Sequence, residues 1–217
     1  MVAVENRVEN GVDLSGLVAA VSSRVAPLLD ADGLELRFVV LGDGTGSQAW
    51  TEDVDGVPVS FLAAGLVPDG DVGVCLVAHE ATHAVHRRVR PEPWPVTAAT
   101  KLFEEAVAMG VSRAIAPGVS DVDAAAFGTF PETWLAECDA VWPATRAALS
   151  AGGDERFAEL FARPELRPAG AELPVRCGYA AALRLAPALL SAAPASELVR
   201  LDADAATALV ARSLEAA

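Results

Sequence analysis

The sequence predicts an α+β fold, in which a small N-terminal antiparallel sheet is followed by a mainly α-helical bundle. Strand-like runs separated by turn signals fall before residue 70. Beyond that point apolar residues recur every three or four positions, which is the period of a helix with one buried face. The 217 residues are enough for one substantial core. We therefore expect a single unit over residues 1–217, with a helix and sheet lobe in 1–70 and a helical lobe in 71–217.

The N-terminal lobe contains one predicted helix and several predicted strands. Their periodicity predicts a helix over 13–29 and strands over 34–41, 48–54 and 57–63. The glycine-rich segment 42–46 lacks the lysine and serine or threonine of a phosphate-binding loop, so we interpret it as a turn. Asp55-Gly56 suits a two-residue type I′ hairpin between the last two strands. We expect 57–63 to be the edge strand of the sheet.

The helical lobe begins with a helix over 71–90, for which Asp71 is placed to cap the free amide groups. Prolines at 91, 93 and 95 cannot continue this helix. Residues 97–116 are helical again, so the two helices should form a hairpin. Four more helices are predicted over 131–151, 154–162, 174–193 and 202–216. Asp202 is the expected cap of the last one.

Composition argues against several classes of partner. The net charge of −14 and pI near 4.5 repel nucleic acid, and no apolar run reaches the eighteen or so residues of a membrane span. The first residues lack the pattern of a secretory signal, and the three cysteines are scattered. These features predict a cytoplasmic protein with reduced cysteines and with no nucleic-acid or membrane partner. They leave the oligomeric state open.

A His-Glu-x-x-His motif lies in the helix predicted over 71–90. His79 and His83 are four residues apart, so both imidazoles can point at one metal ion from one face. Glu80 is next to a ligand rather than in line with it, which suits a base that takes a proton from metal-activated water. His86 shares the face but lies about a helical turn further on. We expect it to contact a ligand or substrate, or to be exposed, and not to bind the metal.

A catalytic zinc ion commonly has three protein ligands, so a third is needed. The returning helix offers Glu104 and Glu105, which point about 100° apart. Glu104 follows Lys101 by three residues, as in an ordinary surface ion pair. Glu105 lies between Leu102 and Met109 on its face, where an unpaired carboxylate is costly. This setting favours Glu105 as the ligand.

The motif and its spacing resemble the gluzincin metallopeptidases. In these enzymes the His-Glu-x-x-His helix is followed by a ligand that opens a Glu-Gly-x-Ala-like helix, and here 21 residues separate His83 from Glu105. The segment Arg176-Cys177-Gly178-Tyr179 is similar to the Arg-x-Gly-Tyr segment of a poorly characterised bacterial family of predicted zinc-dependent proteases. The matches span about residues 70–190. They imply a zincin-like catalytic bundle and peptide hydrolysis with Glu80 as base.

This sequence departs from the gluzincin pattern at two positions. Ala106 replaces the usual glycine after the third ligand. Met109 stands where some gluzincins place an aspartate that orients a metal-binding histidine. The resemblance therefore implies no orienting partner for His79 and His83.

Two residues near position 177 have alternative interpretations. Tyr179, the only tyrosine, either donates a hydrogen bond to the oxyanion formed during hydrolysis or packs in the core. Arg176 either binds a substrate carboxylate or carbonyl group or forms a surface ion pair. The sequence favours neither role for Tyr179, and it favours the surface ion pair for Arg176.

The motif and the resemblance together predict a peptidase with one zinc ion per chain and a peptide or protein substrate. One alternative is an interaction or chaperone-like protein that zinc only stabilises. Glu80 favours the enzyme, because a purely structural site has no need of a base. Another alternative keeps hydrolysis but acts on a non-peptide amide or ester.

Overall fold

The computed structural model describes residues 2–6, 14–42 and 46–216. It confirms the α+β class. The strands are β1 (Val2–Asn6), β2 (Leu36–Leu41), β3 (Ala49–Val54) and β4 (Val57–Ala63). The larger helices are α1 (Leu14–Leu28), α2 (Gly70–Val89), α3 (Ala98–Ile115), α8 (Cys177–Ala192) and α10 (Ala203–Ala216). Asp13 and most of the predicted glycine-rich turn lie outside the described residues.

The sheet has the order β1-β2-β4-β3. The predicted hairpin is present, and β3 pairs with β4 in antiparallel fashion across Asp55 and Gly56, whose φ angles are 51° and 76°. These left-handed angles at both positions are those a type I′ turn needs. However, β1 pairs with β2 and β2 with β4 in parallel. The sheet is therefore mixed, not purely antiparallel.

The predicted edge strand was wrong. β4 lies inside the sheet, where Val59 pairs with Arg37 of β2 on one side and with Glu52 of β3 on the other. β4 is buried along most of its length, whereas β3 ends in three exposed residues. The apolar strand takes the inner place because burial on both sides stabilises it. The edge beside the helical lobe is therefore β3.

The long helices α2 and α3 form the predicted hairpin, and α3 also packs against α8. Arg90 ends α2, and Thr97 caps α3 by exchanging hydrogen bonds with Thr100. The predicted Asp71 cap was wrong, because α2 already begins at Gly70 and Asp71 lies in its first turn. There its charge still opposes the positive end of the helix dipole.

Shorter helices complete the lobe: α4 (Asp121–Ala126), α5 (Thr133–Ala140), α6 (Trp142–Ala151), α7 (Asp154–Phe161) and α9 (Ala195–Leu198). α4, capped by Ser120, was not predicted. The helix expected over 131–151 is divided at Val141, because Pro143 suits the first turn of α6 better than the middle of a longer helix. Asp202 caps α10 as predicted, through a 2.7 Å bond from the amide of Ala205.

Two predictions from composition can be compared with the structure. All three cysteines are buried and free, which fits the absence of a disulfide framework. Within the described ranges, no helix is long and apolar enough to cross a membrane.

Candidate metal centre

The α2–α3 hairpin brings three potential metal ligands together. His79 and His83 lie one turn apart on the buried face of α2, and Glu105 faces them from α3. All three are buried, with 2%, 7% and 1% of their surfaces exposed. Their ligand atoms lie within 4.8 Å of one another, so this buried group could hold a metal ion. Glu104, the rejected candidate, is not part of the group.

The spacing of the ligand atoms fits a tetrahedral ion. Nε2 of His79 lies 3.0 Å from Nε2 of His83 and 3.0 Å from Oε2 of Glu105, and Nε2 of His83 lies 3.5 Å from Oε1. Bonds of about 2.0–2.1 Å at tetrahedral angles place ligands about 3.4 Å apart. Oε2 is buried, and no hydrogen bond to it is found among the described residues. A metal ion at this point would satisfy that oxygen.

Lys101 belongs to the site, although the sequence analysis paired it with Glu104. Its Nζ lies 2.5 Å from Oε1 of Glu105, one turn along α3, instead of pairing with Glu104. Burial by itself would raise the pKa of Glu105, but Lys101 and the two histidines hold it well below its ordinary value. Glu105 is therefore ionised, as a metal ligand must be. Lys101 holds one carboxylate oxygen and leaves Oε2 facing His79.

Glu80 is held by the sheet. Its Oε2 accepts a 2.7 Å hydrogen bond from Oγ1 of Thr51 in β3, and Thr51 exchanges another with Ser60 in β4. Glu80 is 6% exposed and lines the same cleft as His79 and His83. A carboxylate fixed beside two potential histidine ligands, without belonging to the ligand group, is suited to proton transfer.

The rejected residues Glu104 and His86 form a separate cluster. Glu104 accepts a 3.1 Å bond from Arg90, so the predicted pairing with Lys101 was wrong. His86 lies 3.9 Å from Glu104 and is only 2% exposed, because Trp94 packs against its ring at 4.6 Å. The expectation of an exposed His86 was therefore also wrong. Trp94 comes from the proline-rich connection, whose path the local sequence does not specify.

Packing orients the Nδ1 side of the His79 ring. Nδ1 of His79 is buried, and the described residues offer it no hydrogen-bond partner. The ring instead meets Phe127 edge-on at 5.1 Å. Met109 is fully buried in the core, in keeping with the missing orienting aspartate. The geometry of the pair thus depends on Phe127 and on the α2–α3 packing.

A cleft of about 620 Å³ opens onto the metal group. Its walls come from β3, α2, α3, the segment after α4, the segment after α7 and the start of α8. Tyr179 lines it, partly buried, with its ring edge-on to Phe161 at 5.8 Å. The chain passes close here, because a side chain at Gly178 would meet the Phe161 ring at 2.5 Å. Tyr179 is thus a cleft residue whose position is fixed by close packing against Phe161.

Arg176 also lines the cleft, with its guanidinium 4.2 Å from the centre of the Tyr179 ring. The surface ion pair considered for it is not formed with any described carboxylate. Its φ of 57° is left-handed, at the residue that precedes α8.

No family model matches this sequence, and the search among curated proteins finds no match.

Sequence reasoning missed Lys101 and Thr51. Lys101 had a usable signal, since it precedes Glu105 by four residues and so shares its helix face. Thr51 had none, because its contact with Glu80 depends on how the hairpin packs against α2.

Proposed function

We propose that this protein is a zinc-dependent peptidase with His79, His83 and Glu105 as metal ligands. The observation that carries the proposal is a buried two-histidine, one-carboxylate group beside a second carboxylate, Glu80, in one open cleft. Two histidines and one glutamate form a ligand set typical of catalytic zinc, which leaves a position for water. Bound there, zinc supplies a Lewis acid that makes water a nucleophile at neutral pH.

Glu80 is the proposed general base. Thr51 donates to one of its oxygens and fixes its orientation, while the other remains available to accept a proton from the attacking water. Tyr179 is the proposed hydrogen-bond donor to the carbonyl oxygen as negative charge develops on it. Its position on the cleft wall, with Phe161 and Arg176 against the ring, supports this role.

The edge strand β3 is the proposed support for an extended peptide. Ala49, Trp50 and Thr51 line the cleft, and among the described strands β3 pairs with β4 alone. A free edge offers main-chain groups to which a substrate can add as a further strand. Thr51 would then link substrate position to the base, since it belongs to β3 and bonds Glu80.

An interaction protein with a purely structural zinc site is the rival from another class. Structural sites are usually closed by a fourth protein ligand. Here only three ligands converge among the described residues, and they line a cleft. This arrangement favours hydrolysis.

The test is a screen of a quenched fluorescent peptide library with zinc-loaded protein. We expect cleavage by the wild type and none by Glu80→Gln, which keeps the metal ligands but removes the base. Glu104→Gln is the matched control, because it makes the same chemical change at a residue that pairs with Arg90 and lies outside the ligand group. It should cleave like the wild type. Equal cleavage by Glu80→Gln, or none by the wild type across the library, would overturn the proposal.

A further inference from the structure

Among the described residues, four basic side chains line the cleft of a protein whose net charge is −14. They are Arg87, Lys101, Arg163 and Arg176. Three carboxylates also line the cleft: Glu80, Glu105 and Glu165. Basic side chains gathered in one place on an acidic protein attract anions there.

Two of the basic residues are already paired. Arg87 lies 3.7 Å from Asp53, and Lys101 lies 2.5 Å from Glu105. The other two, Arg163 and Arg176, have no carboxylate within ion-pair distance in the described part of the chain. Nε of Arg176 is buried, and its N–H donates to no acceptor in that part of the chain. A buried, unpaired donor on a guanidinium is costly unless a ligand satisfies it.

Among the described residues, no carboxylate neutralises either guanidinium. Arg176 stacks on Tyr179, which leaves its N–H groups free to donate. Arg163 lies beside Gly46, where a side chain would come within 3.4 Å of its terminal nitrogen.

Arg176 and the metal group line the same cleft. Tyr179 and Lys101 line it as well, where the Tyr179 ring supports Arg176 and Lys101 binds Glu105. An anion on Arg176 would therefore lie in the same cleft as the metal ligands.

We infer that Arg176 and Arg163 bind a carboxylate of the substrate, so that the preferred substrates are peptides with a free C-terminal carboxylate. The inference rests on the proposed peptidase function. Guanidinium groups recognise carboxylates through paired N–H donors, which makes the interaction both strong and directional. A glutamate or aspartate side chain of the substrate is the other possible source of the carboxylate.

Binding tests the inference without turnover. The probes are dansyl-Ala-Ala-Phe with a free carboxylate, its C-terminal amide, and the amide of dansyl-Ala-Glu-Phe, titrated into zinc-loaded Glu80→Gln protein by fluorescence. We expect the free acid to bind about tenfold more tightly than the plain amide. The double variant Glu80→Gln/Arg176→Gln, and likewise Glu80→Gln/Arg163→Gln, should lose this preference by weakening only the acid. Arg176→Lys keeps the charge and tests the paired donors if Arg176→Gln does not fold.

Arg88→Gln is the matched control, because Arg88 is exposed and lies outside the cleft.

Preference for the glutamate-containing amide over the free acid would assign the arginines to an acidic side chain and overturn the terminal-carboxylate inference. So would equal binding of acid and plain amide. A preference that survives both arginine changes but vanishes in metal-free protein would assign the carboxylate to the metal. Acid preference without any hydrolysis by the wild type would defeat the proposed function alone, whereas equal cleavage of acid and amide would defeat this inference alone.

Discussion

Nζ of Lys101 lies 2.5 Å from Oε1 of Glu105, while Oε2 of the same carboxylate faces Nε2 of His79 at 3.0 Å. The two oxygens therefore have different partners. Lys101 compensates the charge of Glu105 and fixes its rotation, and the second oxygen remains directed at the histidines. One oxygen of Glu105 thus stabilises the site through Lys101, and the other remains available to a metal ion.

Replacing Lys101 should destabilise the metal-free protein and make zinc more important for stability. Lys101→Met leaves the buried Glu105 charge without its cation, and about 2 kcal/mol should be lost, because Lys101 is partly exposed. Excess zinc should restore most of the loss by supplying positive charge. Urea unfolding with and without zinc measures both effects. Arg90→Met is the control, because it breaks the Arg90–Glu104 pair, which lies away from the site. Zinc should not restore its stability to a comparable extent. Equal rescue of both variants by zinc would contradict the role given to Lys101.

Glu105→Gln should weaken zinc binding by more than about a hundredfold, whereas Glu104→Gln should change it by less than about threefold. A ligand contributes more than the outer partners whose loss costs about ten- to a hundredfold. The structure places Glu105 with the histidines and Glu104 against Arg90. Competition with a chromophoric chelator measures the dissociation constants. Equal effects of the two changes would show that α3 presents a different face to the metal.

Tyr179→Phe should lower kcat about a hundredfold while leaving zinc content and unfolding unchanged. A donor aimed at the developing oxyanion acts on the transition state and hardly on the ground state. Phenylalanine keeps the packing against Phe161, so only the hydroxyl is tested. The measurement is steady-state kinetics on any peptide found in the library screen. A kcat equal to that of the wild type would make Tyr179 a packing residue of the cleft wall.

His86 should make the metal-free protein less stable at acid pH. Burial lowers its pKa from 6.5 to about 3, and the charges of His83, Arg90 and Arg87 add to the shift. Because the unfolded chain binds a proton near pH 6.5 and the folded protein does not, stability falls as the pH decreases from 6.5 toward 3. The loss from this group is about 1.4 kcal/mol per pH unit.

The check is urea unfolding of metal-free protein between pH 4 and 7, comparing the wild type with His86→Phe. Phenylalanine fills the space beside Trp94 and Phe103 but cannot bind a proton. The variant should show the shallower pH dependence. Parallel curves would mean that His86 titrates equally in the folded and unfolded states.

Helix geometry made much of the site predictable. The four-residue spacing of His79 and His83 and the apolar neighbours of Glu105 are local features, so the sequence contains enough information to place them on facing helices. Long-range contacts were not predictable in this way. The inner position of β4, the bond from Thr51 to Glu80 and the cover that Trp94 provides for His86 all depend on how distant segments pack. Lys101 was predictable only in part. Helix spacing allows it to pair with either Glu104 or Glu105, and the orientation of α3 determines which pair forms.

The most direct test of the proposed zinc site is metal analysis by mass spectrometry of purified wild type, His79→Ala and Glu80→Gln. The proposal predicts one zinc per chain in the wild type, none in His79→Ala and an undiminished content in Glu80→Gln, because Glu80 is the proposed base and not a ligand. Retention of zinc by His79→Ala, or its loss from Glu80→Gln, would contradict this assignment of roles.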